Sequence, residues 1–274
     1  MRTIGLLLLA GAFILALVIG RPAFRKRRRR RLKAKSFPPD WQRILERNVP
    51  LYNLLPDSLK QELHAHINVF LTEKNFEGCG GLELTDEVKV TIAAQACVLL
   101  LNRKTDYYPR LYSVLVYPAA YVAKRASGSG TAHGDEEKEV RLGESWRIGS
   151  VVLAWDGVKH GAMDPEDGHN LVLHEFAHQL DQEDGQADGA PILEQRSSYV
   201  TWARILSKEY EELQRNVRNR HKTVMDWYGA TGPAEFFAVA TEAFFEKPKL
   251  MRQKHPELYE ELKSYYKLDP SEWL

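Results

Sequence analysis

Residues 170–181 read NLVLHEFAHQLD, and the fold has to be built around them. His174 and His178 stand four apart, so on a helix they lie one turn apart on one face and both imidazoles reach a single metal ion. Glu175, turned by about 100° from His174, can sit beside that ion without binding it and take a proton from its water. Leu171, Val172, Leu173, Phe176, Ala177 and Leu180 make the helix nearly all apolar around these three residues. A solvated helix would carry polar flanks instead. A buried helix bearing two histidines and a glutamate needs partners for them, because an unpaired buried polar group costs roughly 1–3 kcal/mol.

A catalytic zinc takes three protein ligands and leaves a fourth position open. The sequence offers three sources for the third ligand. Asp184 lies ten residues after His174, a spacing that needs a sharp turn normally made by glycine at the place Asp181 occupies. The other two are Glu235 and Glu242 in GPAEFFAVATEAFFEKP, residues 232–248, a second apolar helical run whose carboxylates, seven apart, share one face. Glu235 is the favoured ligand. Glu242 then either orients an imidazole from behind or substitutes as ligand, and Asp181 is a further candidate for holding an imidazole.

Outward from this centre the chain divides in two. Residues 3–20, TIGLLLLAGAFILALVIG, carry no charge over eighteen positions, a helix length of about 27 Å, enough to cross a bilayer core. Residues 21–35, RPAFRKRRRRRLKAK, follow with ten basic side chains and no small-residue cleavage site, unlike a secretory signal. By the positive-inside rule this flank stays in the cytoplasm and the domain with it. The expected organisation is a transmembrane anchor and basic collar over 1–35 and a single domain over 36–274, on the cytoplasmic side of a bacterial inner membrane. The collar suits anionic headgroups, at about 1 kcal/mol per basic residue near the surface, and no nucleic acid is expected. Eleven of the 38 Lys and Arg lie in residues 1–35, so the remaining 27 face all 37 Asp and Glu in the rest of the chain.

The domain reads as α+β, a helical bulk with a small sheet. Residues 56–70 keep a helical period through Leu59, Leu63, Ile67 and Phe70, and a second helix runs from a Thr85 cap to about residue 102. Runs at 111–118, 139–142 and 150–155 suit strands, and residues 125–137 form a polar loop. Helices follow over about 167–182, 194–216, 233–246 and 256–267. Cys79 and Cys97 belong to no CxxC pair and read as free thiols in a reducing compartment. His64 and His66 do not share a helix face and read as surface or packing residues; His133, His160, His169, His221 and His255 read as surface residues.

HEFAHQLD, followed some sixty residues later by YGATGPAEFFAVATEAFF, resembles the Mlc titration factor A family of zinc-dependent peptidases. It is more distantly similar to the catalytic domain of anthrax lethal factor. The resemblance covers about residues 38–270 and implies a zincin-like metallopeptidase fold. It implies one Zn²⁺ per chain on His174, His178 and Glu235, with Glu175 as general base and Tyr228 assisting at the oxyanion. The implied activity is peptide-bond hydrolysis through a zinc-bound water, aminopeptidase-like on short peptides. The family also implies an alternative, a zinc-stabilised module that sequesters a transcriptional repressor or other regulatory protein with little proteolysis. The best-known member lacks an anchor, so its partner does not transfer with the motifs.

Overall fold

Proline sets many of the helix starts in this chain. Pro39, Pro50, Pro233, Pro248 and Pro256 each stand in the first turn of a helix, where the missing N–H is no loss and the fixed φ already suits the helix. The computed structural model describes residues 21–119, 121–122, 140–141, 143–147 and 149–273. The apolar segment 3–20, the polar loop 125–137 and His133 lie outside the described residues. Among the described residues no helix is long and apolar enough to cross a membrane.

The first described element is a helix, α1, over residues 21–33. After it come α2 (Pro39–Asn48), α3 (Pro50–Leu54), α4 (Asp57–Glu73), β1 (Asn75–Gly78) and α5 (Asp86–Val98). Then β2 (Ser113–Tyr117), β3 (Tyr121–Val122), β4 (Val140–Arg141), β5 (Gly143–Arg147) and β6 (Ser150–Ala154) build the sheets. The chain ends in helices: α6 (Trp155–Met163), α7 (Leu171–Asp181), α8 (Ser198–Arg218), α9 (Pro233–Glu246), α10 (Pro248–Lys254) and α11 (Pro256–Tyr266). The main sheet has the order β1-β2-β6-β5, with β5 alone antiparallel to its neighbour, while β3 and β4 pair as a separate antiparallel ribbon. This is the expected helical bulk with a small sheet.

Alternation in β2 and β6 fixes which face of the sheet meets the helices. Val114 pairs with Val151 and Val116 with Leu153, and all four are fully buried. Thr85 caps α5 by accepting the Val88 N–H, and residues 90–98 of that helix are buried on every side, as a core helix too short to span a membrane requires. α7 is wedged beside it. Phe176 stacks edge-on against Tyr108 at 4.9 Å and meets Phe70 at 5.7 Å, aromatic contacts that contribute about 0.5–1.5 kcal/mol each beyond area burial. On the other side α9 buries Phe237, Phe244 and Phe245 against Trp202 of α8 and Tyr265 and Tyr266 of α11, and Phe236 against Tyr210 of α8.

Three features were not expected from the sequence. β1 and β5, the two outer strands of the main sheet, had no signal of their own. His255 is no surface residue: its side chain is only 11% exposed and its Nδ1 lies 2.6 Å from Glu209. The basic collar, thirdly, is not uniformly exposed. Arg29 grips Glu73 with two parallel bonds of 2.9 and 2.7 Å, pairs with Asp106 and lies over the Tyr107 ring, while Leu32 is buried in the core. His66, the buried member of the α4 pair, bonds to Tyr107 Oη and Glu62 beneath this contact. Cys79 and Cys97 are both free thiols.

Candidate metal centre

The centre is assembled from successive turns of α7, His178 in its last, and one face of α9. Asn170 caps α7, its Oδ1 accepting the Leu173 N–H at 3.0 Å, the usual reason for asparagine at this place. The following turn points His174 and His178 at α9, with the two rings 4.9 Å apart. Glu235 lies in the first turn of α9 and reaches both imidazoles with one oxygen: Oε2 is 3.0 Å from His174 Nε2 and 3.2 Å from His178 Nε2. The two Nε2 atoms are themselves 3.2 Å apart.

This near-equilateral triangle tests whether a metal fits. With bonds of about 2.0–2.1 Å to a tetrahedral ion, ligand atoms sit about 3.3–3.4 Å apart. The observed edges need shifts of only a few tenths of an ångström, and two imidazole nitrogens with a carboxylate oxygen suit zinc. Among the described residues His174, His178 and Glu235 are the one group of three so disposed.

Glu242 stands behind the triangle. Its Oε1 accepts the His174 Nδ1–H at 2.7 Å and its Oε2 accepts the Asn170 N–H at 2.6 Å. Holding Nδ1 this way leaves Nε2 as the nitrogen facing the centre. Asn170 also donates from Nδ2 to the Gly161 carbonyl and to Glu246 Oε1, both at 3.0 Å. Glu246 is buried, with Oε2 lacking a partner among the described residues. Burial, with Glu242 nearby, pushes its carboxyl up to about 9.

The electrostatics follow the same geometry. Burial alone would lower the His174 imidazole, but its bonds to Glu235 and Glu242 prevail and raise it to about 10. Burial opposes ionisation of Glu235, yet the hydrogen bonds from His174 and His178 hold its carboxyl down at about 2. Glu175, next to His174 on α7 and 5% exposed, is pushed above the ordinary carboxylate range by burial, against the pull of both imidazoles. Tyr228 stands at the rim, half exposed in the 3-10 turn Trp227–Thr231, its ring 6.1 Å from that of His174.

Two candidates fall elsewhere. Asp184 is exposed in the 3-10 turn Gln182–Asp184 and accepts the Gln186 N–H, so it is not the third member of the group. Asp181 does not orient an imidazole. Its Oδ2 accepts the Gly189 N–H at 3.0 Å, and burial pushes its carboxyl up to about 6. Gly189 has φ +79°, and a Cβ there would lie 2.5 Å from the Pro233 carbonyl oxygen. Asp181 and Gly189 thus tie the end of α7 to the beginning of α9, two residues before Glu235. Asn170 and Glu246 were not singled out from the sequence. An asparagine just before an apolar helical run is a capping signal, and Glu246 extends the carboxylate series of Glu235 and Glu242 along α9.

A helix carrying HExxH, faced by a carboxylate from a second buried helix within a small α+β domain, defines the class of metallopeptidases. Residues 24–267 match the glucose-regulated metallo-peptidase M90 family, and the chain belongs to that family. It is 43% identical to an uncharacterized protein of Synechocystis over 94% of both chains. It is 32% identical to Mlc titration factor A of Pectobacterium atrosepticum and 29% identical to that of Escherichia coli, in each case over 84% of this chain and 86% of the relative. The resemblance carried by HEFAHQLD and the distal PAEFF segment therefore holds for most of the chain.

Because Glu242 ties His174 to the cap of α7, its removal is expected to loosen a metal. Glu242→Ala is expected to weaken zinc affinity by about 10–100-fold, and Glu242→Gln by less, as read by competition with a chromophoric chelator. Equal affinity in all three proteins would show that Glu242 does not set the ring.

Proposed function

We propose that the chain is a zinc-dependent peptidase, aminopeptidase-like on short peptides, with His174, His178 and Glu235 as ligands. The observation that carries this reading is the convergence of those three side chains at hydrogen-bond distance, with Glu175 buried on the same helix. Zinc bound there supplies a Lewis acid that brings the pKa of a water toward about 7 and polarises a peptide carbonyl. Glu175 takes the proton from the attacking water and delivers it to the leaving amine. Tyr228, at the rim, donates its hydroxyl hydrogen to the oxygen that gains charge. Glu242 keeps the His174 ring in register throughout. The aminopeptidase preference rests on the family resemblance.

Residues 3–20 are proposed to tether the domain to the inner membrane with the site on the cytoplasmic side. Eighteen uncharged residues followed by ten basic ones support that placement. The relatives called Mlc titration factor A favour a second reading, in which the metal stabilises a surface that captures a regulatory protein.

The test is chelation and rescue. The purified chain, stripped with a chelator, is expected to lose cleavage of a mixed peptide library and to recover it with about one equivalent of zinc. Acetylating the peptide N-termini is expected to abolish cleavage if the preference is aminopeptidase-like. Zinc uptake with no cleavage of any peptide would shift the function to the binding module; no zinc uptake would end both readings.

A further inference from the structure

The basic collar is two faces of one helix. On α1 the residues Arg25, Arg28, Arg29 and Leu32 follow the i, i+3, i+4, i+7 pattern of a single stripe. That stripe is turned to the domain: the three arginines pair with Glu73, two of them also meet acceptors at Asp106, and Leu32 is buried. Lys26, Arg27, Arg30 and Arg31 fall on the opposite side. All four are exposed, none takes part in an ion pair among the described residues, and no acidic residue shares their face. Phe24 lies at the edge of this face, a large apolar ring with 71% of its surface exposed.

We infer that the outward face of α1 is a docking surface for an anionic lipid bilayer, laid flat on the headgroups with Phe24 in the interface. The inference rests on the reading of residues 3–20 as an anchor and goes beyond it, since an anchor alone does not fix how α1 meets the membrane. Three features point to lipid. The face is cationic where the surface is anionic, and each basic residue adds to the attraction. An exposed aromatic ring beside lysine and arginine is the pattern of interfacial helices. The face follows directly on the uncharged run 3–20, which as an anchor holds it beside the headgroups. The rest of the chain has more acidic than basic residues and is repelled by the same surface, so the outward stripe governs the approach.

Position 34 separates a flat helix from an upright one. Ala34 is exposed at the far end of α1, about 20 Å along the axis from its start and so beyond a Debye length of about 8–10 Å if the helix stands on the bilayer normal. The full chain carrying Ala34→Cys and Cys79→Ser, with Cys97 left in the core, is labelled with a thiol-reactive fluorophore and reconstituted into vesicles. Acrylamide quenching is expected to fall about twofold when phosphatidylcholine vesicles receive about 30% phosphatidylglycerol. Replacing Lys26, Arg27, Arg30 and Arg31 by Gln is expected to erase that difference. Replacing Arg25, Arg28 and Arg29 by Gln is expected to preserve it while lowering the Tm. Equal quenching in both lipids, or a difference that survives the outward substitutions, overturns the proposal. So does shielding by a polynucleotide with none by anionic vesicles. Flotation separates the two readings: a chain that floats with anionic but not neutral vesicles, and only with the outward residues intact, keeps the face and loses the anchor. A chain that floats with neither loses both.

Discussion

Glu175→Gln is expected to lower kcat for peptide cleavage by about 10²–10⁴-fold, the range for loss of a positioned general base, while zinc content stays at that of the wild type. The substitution keeps the shape of the side chain and the buried environment of α7 and removes only the ability to take up and hand on a proton. None of the three converging donor atoms belongs to it. Single-turnover cleavage beside metal analysis on the same samples reads both arms. A variant that cleaves at the wild-type rate would remove Glu175 from the chemistry, and one that loses its zinc would make it part of the metal site.

Glu235→Ala is expected to act on the metal itself, reducing zinc to a small fraction of an equivalent after dialysis and cleavage to background with it. Its Oε2 is the corner shared by both imidazoles; without it two nitrogens remain where a catalytic zinc takes three protein ligands. Folding is expected to survive. Glu235 is partly exposed at the start of α9, and alanine is a strong helix former. Retained zinc and activity would require a different third ligand, with Glu242 the first place to look. An unfolded variant would be told from a metal-free one by circular dichroism.

The central helices were legible because their patterns are dense. NLVLHEFAHQLD is nearly all apolar apart from groups that need partners, and PAEFFAVATEAFFE spaces three carboxylates along an apolar helix. β2 and β6 showed themselves by alternation and branched side chains. β1 is only NFEG, largely exposed, and exists as a strand because β2 runs parallel beside it. Such a strand is defined by its neighbour, and local sequence carries no trace of that. Arg29 shows the same limit in electrostatic form. Within RKRRRRR one arginine looks like another; whether it meets Glu73 or solvent depends on where α4 ends in space. Asp181 failed for a third reason. Proximity to HExxH suggested an imidazole, but the Gly189 backbone, brought close by a left-handed turn, took its oxygen.

Glu242 uses one oxygen to steady an imidazole and the other to hold the backbone N–H of Asn170 at the front of α7. Fraying of that helix end and loss of an ion bound at the triangle are therefore expected to be coupled. Whatever opens the first turn weakens metal affinity, and bound metal returns the same free energy as resistance to unfolding. On the proposed function, the supply of metal is therefore expected to set lifetime as well as activity.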